Sequence, residues 1–181
     1  TAEATHQDLA KGFTIGMRFH SAPVVRLADA KPVHLGHAAR ADGAWRLYAF
    51  ADASGKRLRE LAAFLAESPK SPVRRFTPTA ADIDSVIDVR AVFQQPHREL
   101  KVQELPAILL PRKGSFGLID YEKAYCPDLR GGADIFDLRG IDRAKGAIVV
   151  VRPDQYVSHV LPLDAHDELA AFFGQFLLDR H

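Results

Sequence analysis

One cysteine, Cys126, and one methionine, Met17, occur in 181 residues. A lone thiol closes no internal disulfide, which fits a chain of the reducing cytoplasm. A chain this long can bury a real core without disulfide or metal. Surplus charge is missing as well: 24 Lys and Arg against 23 Asp and Glu leave a formal net charge of +1. Bulk electrostatics therefore point to neither nucleic acid nor an anionic membrane. No apolar run reaches membrane-spanning length, and no signal peptide is recognised. Gly-x-Gly-x-x-Gly and P-loop motifs are absent, so no glycine loop is recognisable as a phosphate cradle. Internal repeats and low-complexity runs are absent too. Thr1 stands where an initiator methionine would, as expected of a piece of a longer protein or a processed chain. What is present is the composition of one soluble globular domain, 47% hydrophobic and 26% charged.

The most ordered stretch runs from Gly146 to Leu161. Ala147 to Val151 is a continuous β-branched run, the pattern of a strand covered on both faces. Arg152-Pro153-Asp154-Gln155 is a turn, and Tyr156 to Leu161 a second strand, so the pair predicts a central hairpin. Such a hairpin calls for helices on both sides of its sheet. Thr1 to Lys11 reads as a linker or frayed segment, which leaves residues 12–181 as the domain. Gly12 to Ser21 reads as an extended arm whose alternating Phe13, Ile15, Met17 and Phe19 pack on something. Val24 to Leu27 is a strand. Val33 to Ala38 and Trp45 to Phe50, joined through Asp42-Gly43, predict a second hairpin. After Ser54 as N-cap, Leu58, Leu61, Ala62 and Leu65 recur at helical spacing as far as Ser68-Pro69.

Lys70 to Thr79 is a proline-punctuated connection. Val86 to Phe93 is a strand whose Asp88 and Arg90 share one face, which places it nearer a sheet edge. Strand, helix and strand from Trp45 to Phe93 predict a parallel crossover. His97 to Leu105 holds a short helix, and Leu105 to Pro111 is irregular or briefly extended. Arg112 to Asp142 is the least periodic part, a loop region with short helical turns, punctuated by Gly114, Gly117, Gly131 and Gly132. Asp164 N-caps a last helix with Asp167 and Glu168 in its first turn and an apolar stripe of Leu169, Phe172, Phe173, Phe176 and Leu177. A βαβ unit followed by a ββα unit around one mixed sheet is the thioredoxin-like arrangement. The fold class is therefore α/β, a central mixed sheet flanked by helices, with an N-terminal extended arm.

A thioredoxin-like fold does redox work with a Cys-x-x-Cys at the start of the helix after its first central strand, where the helix end lowers a thiol pKa. Here that place reads Ala51-Asp52-Ala53-Ser54-Gly55-Lys56, without cysteine. The place of the cis-proline reads Arg143-Ala144-Lys145-Gly146. The redox reading fails at both. Cys126, in Tyr125-Cys126-Pro127-Asp128, has no histidine or helix start beside it and reads as a packed or incidental loop residue. His34 and His37, three apart on a strand, are expected on opposite faces, and no third ligand is near. His159 in a strand and His166 in a helix first turn read as structural or solvated. Asp120, Glu122, Asp128, Asp134 and Asp137 show no spacing that predicts convergence. Lys56, Arg57, Arg59, Lys70, Arg74 and Arg75 form a basic segment without interleaved aromatics, so a solvated helix face or a polar contact to a neighbouring domain is expected. No residue is assigned a catalytic, cofactor-binding or metal role.

Taken in order, several motifs go further. They are Gly12-Phe13-Thr14-Ile15-Gly16-Met17-Arg18-Phe19-His20-Ser21, Asp29 to His37, Ala41 to Arg46, Gly117 to Lys123, and Val150-Val151-Arg152-Pro153-Asp154-Gln155-Tyr156-Val157. The ordered set resembles the C-terminal domain of the phenol hydroxylase family of flavoprotein aromatic monooxygenases, its 3-hydroxybenzoate-type branch above all. The resemblance covers the chain from about Gly12 onward. It implies a parent enzyme that uses NADPH to reduce FAD and hydroxylates a phenolic ring. It also implies that the flavin and ring sites lie in N-terminal domains, and that this domain packs against them and dimerises without chemistry of its own. Arg152, Pro153, Asp154 and Tyr156 match the family's hairpin and read as turn and packing residues. Two other readings stay open at this point: a single-cysteine thiol peroxidase or reductase using Cys126, and a stand-alone homodimer that binds a small aromatic ligand.

Overall fold

The computed structural model describes residues 6–131 and 134–179. Its main sheet has seven strands, in the order β2 (Pro32–His34), β1 (Pro23–Arg26), β7 (Ala124–Pro127), β4 (Ile87–Val92), β3 (Trp45–Phe50), β8 (Ala147–Val151) and β9 (Val157–Leu161). The central unit is β3 (Trp45–Phe50), α1 (Lys56–Glu67) and β4 (Ile87–Val92), with β3 and β4 parallel over six residue pairs, as the crossover requires. The strong apolar run is β8 (Ala147–Val151). It pairs antiparallel with β3 on one side and with β9 (Val157–Leu161) on the other. All five residues of β8 are buried, as expected of a strand covered on both faces. Its partner β9 is the last strand of the sheet, so the hairpin ends the sheet rather than lying at its centre. The chain closes with α4 (His166–Gly174). A βαβ unit and a ββα unit thus share one mixed sheet, the thioredoxin-like arrangement.

Three further strands extend that unit beyond β4. β7 (Ala124–Pro127) runs parallel to β4, β1 (Pro23–Arg26) antiparallel to β7, and β2 (Pro32–His34) antiparallel to β1. The predicted second hairpin is therefore wrong: β2 pairs back on β1 and not on β3. Asp42-Gly43 makes a local turn instead, in which Asp42 Oδ1 accepts from Ala44 N at 3.0 Å and from Arg46. β7 was hidden within the region read as loop because it has four residues and no period to display. The same region holds the two-residue strands β5 (Arg112–Lys113) and β6 (Leu118–Ile119), and α3 (Ile135–Leu138). Gly132, read there as punctuation, lies outside the described residues. The connection after α1 contains α2 (Pro72–Phe76), started by proline at its first turn, while Ser71 Oγ donates to Leu65 O at 2.7 Å. The short helix expected after His97 is two 3-10 turns, at His97–Glu99 and Val102–Glu104.

Alternation along the strands sorts the core into two layers. Leu47, Ala49, Val89, Ile148 and Val150 face α1, α2 and α4. Tyr48, Phe50, Val149 and Val151 face the opposite way, toward the N-terminal arm and α3. Helices flank both faces, as the sequence suggested, but the second face has only the short α3. The second cover is the arm and one helical turn. Of the segment read as linker or frayed end, residues 1–5 lie outside the described residues, while Gln7–Leu9 forms a 3-10 turn and Leu9 and Ala10 are buried. Phe13 stacks on Phe19 at 4.6 Å, and Phe19 on Tyr48 at 4.5 Å. Met17 escapes the alternation and is 54% exposed, because Thr14 to Met17 is a turn closed by Met17 N to Thr14 O.

Helix ends differ from expectation in detail. α1 has Gly55 at its N-cap, and Asp52 reaches in to accept from Leu58 N at 3.2 Å. At α4 the N-cap is Ala165, with no side-chain cap from Asp164. On the α4 stripe Leu169 and Phe173 are buried, Phe172 and Leu177 half-buried, and Phe176 exposed.

Gly146 enters β8 at φ +69°, and a Cβ there would lie 2.4 Å from Phe50 O and 2.8 Å from Asp52 N. Gly146→Ala is expected to cost about 2–4 kcal/mol, through left-handed strain and overpacking against backbone. Urea denaturation of the variant measures it, and a loss under ~1 kcal/mol would mean that the loop yields freely.

Candidate functional site: a buried ion network and an exposed hairpin

Asp88 lies on β4, the middle strand of the seven, and is 2% exposed. The sequence placed this strand near an edge because Asp88 and Arg90 share a face. They do share it, but the charges are neutralised in place. Lys123 Nζ donates to Asp88 Oδ1 at 2.6 Å, and Arg90 Nε to Asp88 Oδ2 at 2.9 Å. Arg46, directly opposite on β3, brings its Nε within 3.2 Å of Asp88 Oδ2. That last pair is too poorly aligned to be a hydrogen bond, since Arg46 Nε has no bonding partner. The rest of the Arg46 guanidinium bonds Ala44 O at 3.0 Å, Arg40 O at 2.5 Å and Asp42 Oδ1 at 2.7 Å. Arg90 also donates to the Tyr125 hydroxyl at 2.7 Å, which in turn donates to Glu122 O at 2.6 Å.

The network reaches the surface through Asp84. Lys123 Nζ donates to Asp84 Oδ2 at 2.6 Å, and Lys113 Nζ to the same oxygen at 2.8 Å. Asp120 Oδ2 lies 3.4 Å from Lys123 Nζ. Burial pushes the Asp84 carboxyl up, but the bonds from Lys113 and Lys123 outweigh it and hold it below the ordinary carboxylate value. Burial likewise lowers Lys123, and the field of Asp88 with the bonds to Asp84 and Asp88 raises it above the ordinary lysine value. Four cations, Arg46, Arg90, Lys113 and Lys123, thus face Asp42, Asp84, Asp88 and Asp120. Equal numbers of each sign leave no surplus charge to attract a ligand. The role that fits is structural.

The thioredoxin redox place lies at the opposite end of β3. There the Asp52 carboxylate accepts from Leu58 N and, at 2.5 Å, from the Ser54 hydroxyl. Gly146 closes on the same turn, and Gln94 Nε2 bonds both Ala51 O at 2.8 Å and Arg143 O at 2.7 Å. In the first turn of α1 the Asp52 carboxylate takes Leu58 N and the Ser54 hydroxyl takes Lys56 N, so a negative charge already stands at the helix end that would otherwise suit an anion, and the phosphates of FAD or NADPH do not fit beside it. Cys126 is buried in β7, in a strand rather than a loop, and burial pushes its thiol up to about 12. A thiolate nucleophile at neutral pH is not available there.

The other singled-out residues are dispersed. His34 and His37 do not point to opposite faces: their rings lie 5.3 Å apart, because the chain turns after β2. No group of three potential metal ligands forms among the described residues. His159 is buried on β9, 3.5 Å from Glu168, and burial lowers its pKa. His166 stacks on Phe64 at 4.6 Å. Asp134 caps α3 by accepting from Phe136 N at 2.9 Å and pairs with Arg143, as does Asp137. Asp128 accepts from Gly131 N at 3.2 Å, and Glu122 pairs with Arg26. In the basic segment, Lys56 pairs with Glu60, Lys70 with Asp167 and Arg75 with Asp179. In the 152–156 turn, Arg152 pairs with Asp154 and Gln155 takes φ +71°.

What the sequence missed is an apolar surface. The β5–β6 hairpin pairs only with itself, and on it Phe116 is 88% and Leu118 70% exposed. Its base is fixed by Lys113 on Asp84 and by Gly114 N donating to Asp82 Oδ1 at 2.9 Å. The stretch lacks periodicity, and only its Gly114-Ser115-Phe116-Gly117 run hints at a tight turn.

Comparison with known proteins gives a consistent picture. The family model described as "Phenol hydroxylase, C-terminal dimerisation domain" matches residues 1–181. The chain is 57% identical to a 3-hydroxybenzoate 4-monooxygenase of Comamonas testosteroni over 98% of its length, which is 29% of that protein. It is 35% identical to an FAD-dependent monooxygenase of Aspergillus terreus, over 96% of this chain and 29% of that one. The chain therefore spans under a third of the curated relatives it matches. Among solved structures it is similar to a thiol:disulfide interchange protein of Bacteroides sp. (TM-score 0.57, 13% identity, covering 92% of this chain and 91% of that one). It is also similar to the thioredoxin domain of a thiol-disulfide oxidoreductase of Bacteroides vulgatus (TM-score 0.55, 12% identity, covering 91% and 98%). These two likenesses establish the thioredoxin-like fold.

Lys123→Met takes one of two cation partners from each of two buried carboxylates, Asp84 and Asp88, and is expected to cost about 2–3 kcal/mol at pH 7. Depressed carboxylates such as Asp84 and Asp120 stabilise the fold above their unfolded pKa, and that contribution is lost as pH falls through the folded value. The gap between wild type and variant should therefore narrow as pH falls from about 4, the unfolded value, through the depressed folded values of Asp84 and Asp120. Urea titrations at pH 7 and pH 3 read both, and an unchanged gap would contradict the network's role. Cys126 should resist iodoacetamide at pH 8 in the folded chain and react fully in denaturant, as followed by mass spectrometry. Rapid labelling of the native chain would restore the thiol-enzyme reading.

Proposed function

Because the chain belongs to the family of phenol hydroxylase C-terminal dimerisation domains, we propose that it is the non-catalytic association module of a larger aromatic monooxygenase. The observation that carries this is its 57% identity to a 3-hydroxybenzoate 4-monooxygenase across nearly its whole length. The parent hydroxylates a phenolic ring of the 3-hydroxybenzoate type. FAD and NADPH bind in domains that precede this one, consistent with a relative named as FAD-dependent. The partners of this domain are those preceding domains and a second copy of the chain. No helix among the described residues is long and apolar enough to cross a membrane. The proposed location is the cytoplasm, where a reducing pool keeps a lone thiol free.

Two structural features support an association role over chemistry. At the redox place, Gly146 backbone and the Asp52 carboxylate fill the space in which a thiol pair would work. Large apolar side chains stand exposed at several points, Phe116, Leu118 and Leu178 most of all. Water-facing apolar patches of this kind mark surfaces that another protein covers.

Produced by itself, the domain should sediment as a dimer, show no visible flavin absorbance and oxidise no NADPH with 3-hydroxybenzoate. The full-length chain should be yellow and should hydroxylate that ring. Stoichiometric flavin on the isolated domain, or a full-length chain inactive on phenols, would overturn the proposal.

A further inference from the structure

We infer that the β5–β6 hairpin is the dimer contact, and that its occupant is the same hairpin region of a second copy of this chain; the inference rests on the association role proposed above. A two-fold contact joins one patch to itself, so a protrusion must lie beside the recess that receives its mate. The hairpin provides both. Phe116 and Leu118 project from it with 88% and 70% of their surface exposed. Next to them opens a cleft of about 590 Å³, lined by Val102, Ile119 and Tyr121 together with Arg26, Asp29 and Glu122. The charged members of that lining are already paired, Arg26 with Asp29 and with Glu122, and Asp120, which also lines it, with Lys113 and Lys123 outside the cleft. What the cleft still offers an incoming side chain is its apolar wall.

Position and stiffness favour the same assignment. The hairpin is rooted beside β4 and β7, where Lys113 reaches Asp84 and Arg26 reaches Glu122. Residue 6 lies at the other side of the molecule, where His6 approaches Glu168 of α4 and the first 3-10 turn meets β9. The family description sets this domain at the C-terminal end of its parent, and the first described residue, toward the preceding domains, lies on the β9 side. The hairpin is left for a partner that comes from elsewhere. Ties to the loop before β4 on one strand, and Asp120 N to Pro111 O at 2.9 Å across the base, hold the protrusion in one orientation. A pre-set protrusion loses little freedom on binding.

Sedimentation equilibrium on the full-length chain tests this with the double variant Phe116→Asp/Leu118→Asp, and with Met17→Asp as a control on the β9 side. Both hairpin positions are exposed, so folding does not depend on them. The hairpin variant should weaken the dimer by at least ~100-fold, as the loss of a central apolar anchor does, and the control should stay within about twofold. Independently, Ser115→Cys at the hairpin tip should join two chains tip to tip through a short bis-maleimide linker, as mapped by mass spectrometry. A hairpin variant with wild-type dimerisation, or a tip linked instead to a preceding domain of its own chain, overturns the inference and leaves the association role standing. A wild-type chain that is monomeric at every concentration overturns both.

Discussion

Asp88 is a carboxylate in the middle of a seven-stranded sheet, and three cations make that position tenable. A lone buried charge costs far more than a fold of this size can spare. With Arg46, Arg90 and Lys123 around it, the charge becomes a device for register. Arg46 faces Asp88 only in the observed β3–β4 pairing, and a slip of one residue would send Arg46 to the aliphatic layer. Lys123, just ahead of β7, fastens that four-residue strand to Asp88 on β4. Through Asp84 and Lys113 the same network sets the root of the β5–β6 hairpin. Sheet order and the placing of an outward loop thus share one electrostatic origin.

The two layers of the core are built differently. Toward α1, α2 and α4 leucine, isoleucine, valine and alanine predominate, with an aromatic group, Trp45 with Phe172, Phe173 and Phe176, at α4. Toward the arm the contacts are aromatic, a stack running from Phe13 through Phe19 to Tyr48, with Phe50 and Phe136 edge-on beside it. Flat rings suit a cover that is a folded-over strand and not a helix, because one ring screens a wide area from water at small entropic cost. The scaffold shares the thioredoxin-like fold of the thiol-disulfide proteins it is similar to. The turn where they would carry cysteines holds a carboxylate cap and a glycine pressed against backbone.

Much of this was legible in the residues. The β8 run, the α1 stripe of Leu58, Leu61, Ala62 and Leu65, and the crossover from Trp45 to Phe93 all declare themselves by period and composition, and together they give the fold class. Pairing partners are less visible, since Asp42-Gly43 satisfies a hairpin rule while its strands go elsewhere. The place of β4 was misjudged for a physical reason: a charge on a strand argues for an edge unless its counter-charges are known, and Lys123 lies 35 residues away. β7 and the hairpin were unreadable because strands of two to four residues carry no periodicity. The apolar knob of Phe116 and Leu118 could not be read either, because exposure is a property of the folded chain.

One small knot has mechanical meaning. Gln7 binds Ala10 O and Phe13 O through its amide nitrogen, each at 3.0 Å, while its oxygen accepts from Ile15 N at 2.9 Å. Leu9 and Ala10, just past it, are already buried. Gln7 thus ties both ends of the turn it spans. A pull on this first described turn would pass into the Phe13–Phe19–Tyr48 stack and not be spent in local unwinding, as a clamped rope loads its anchor.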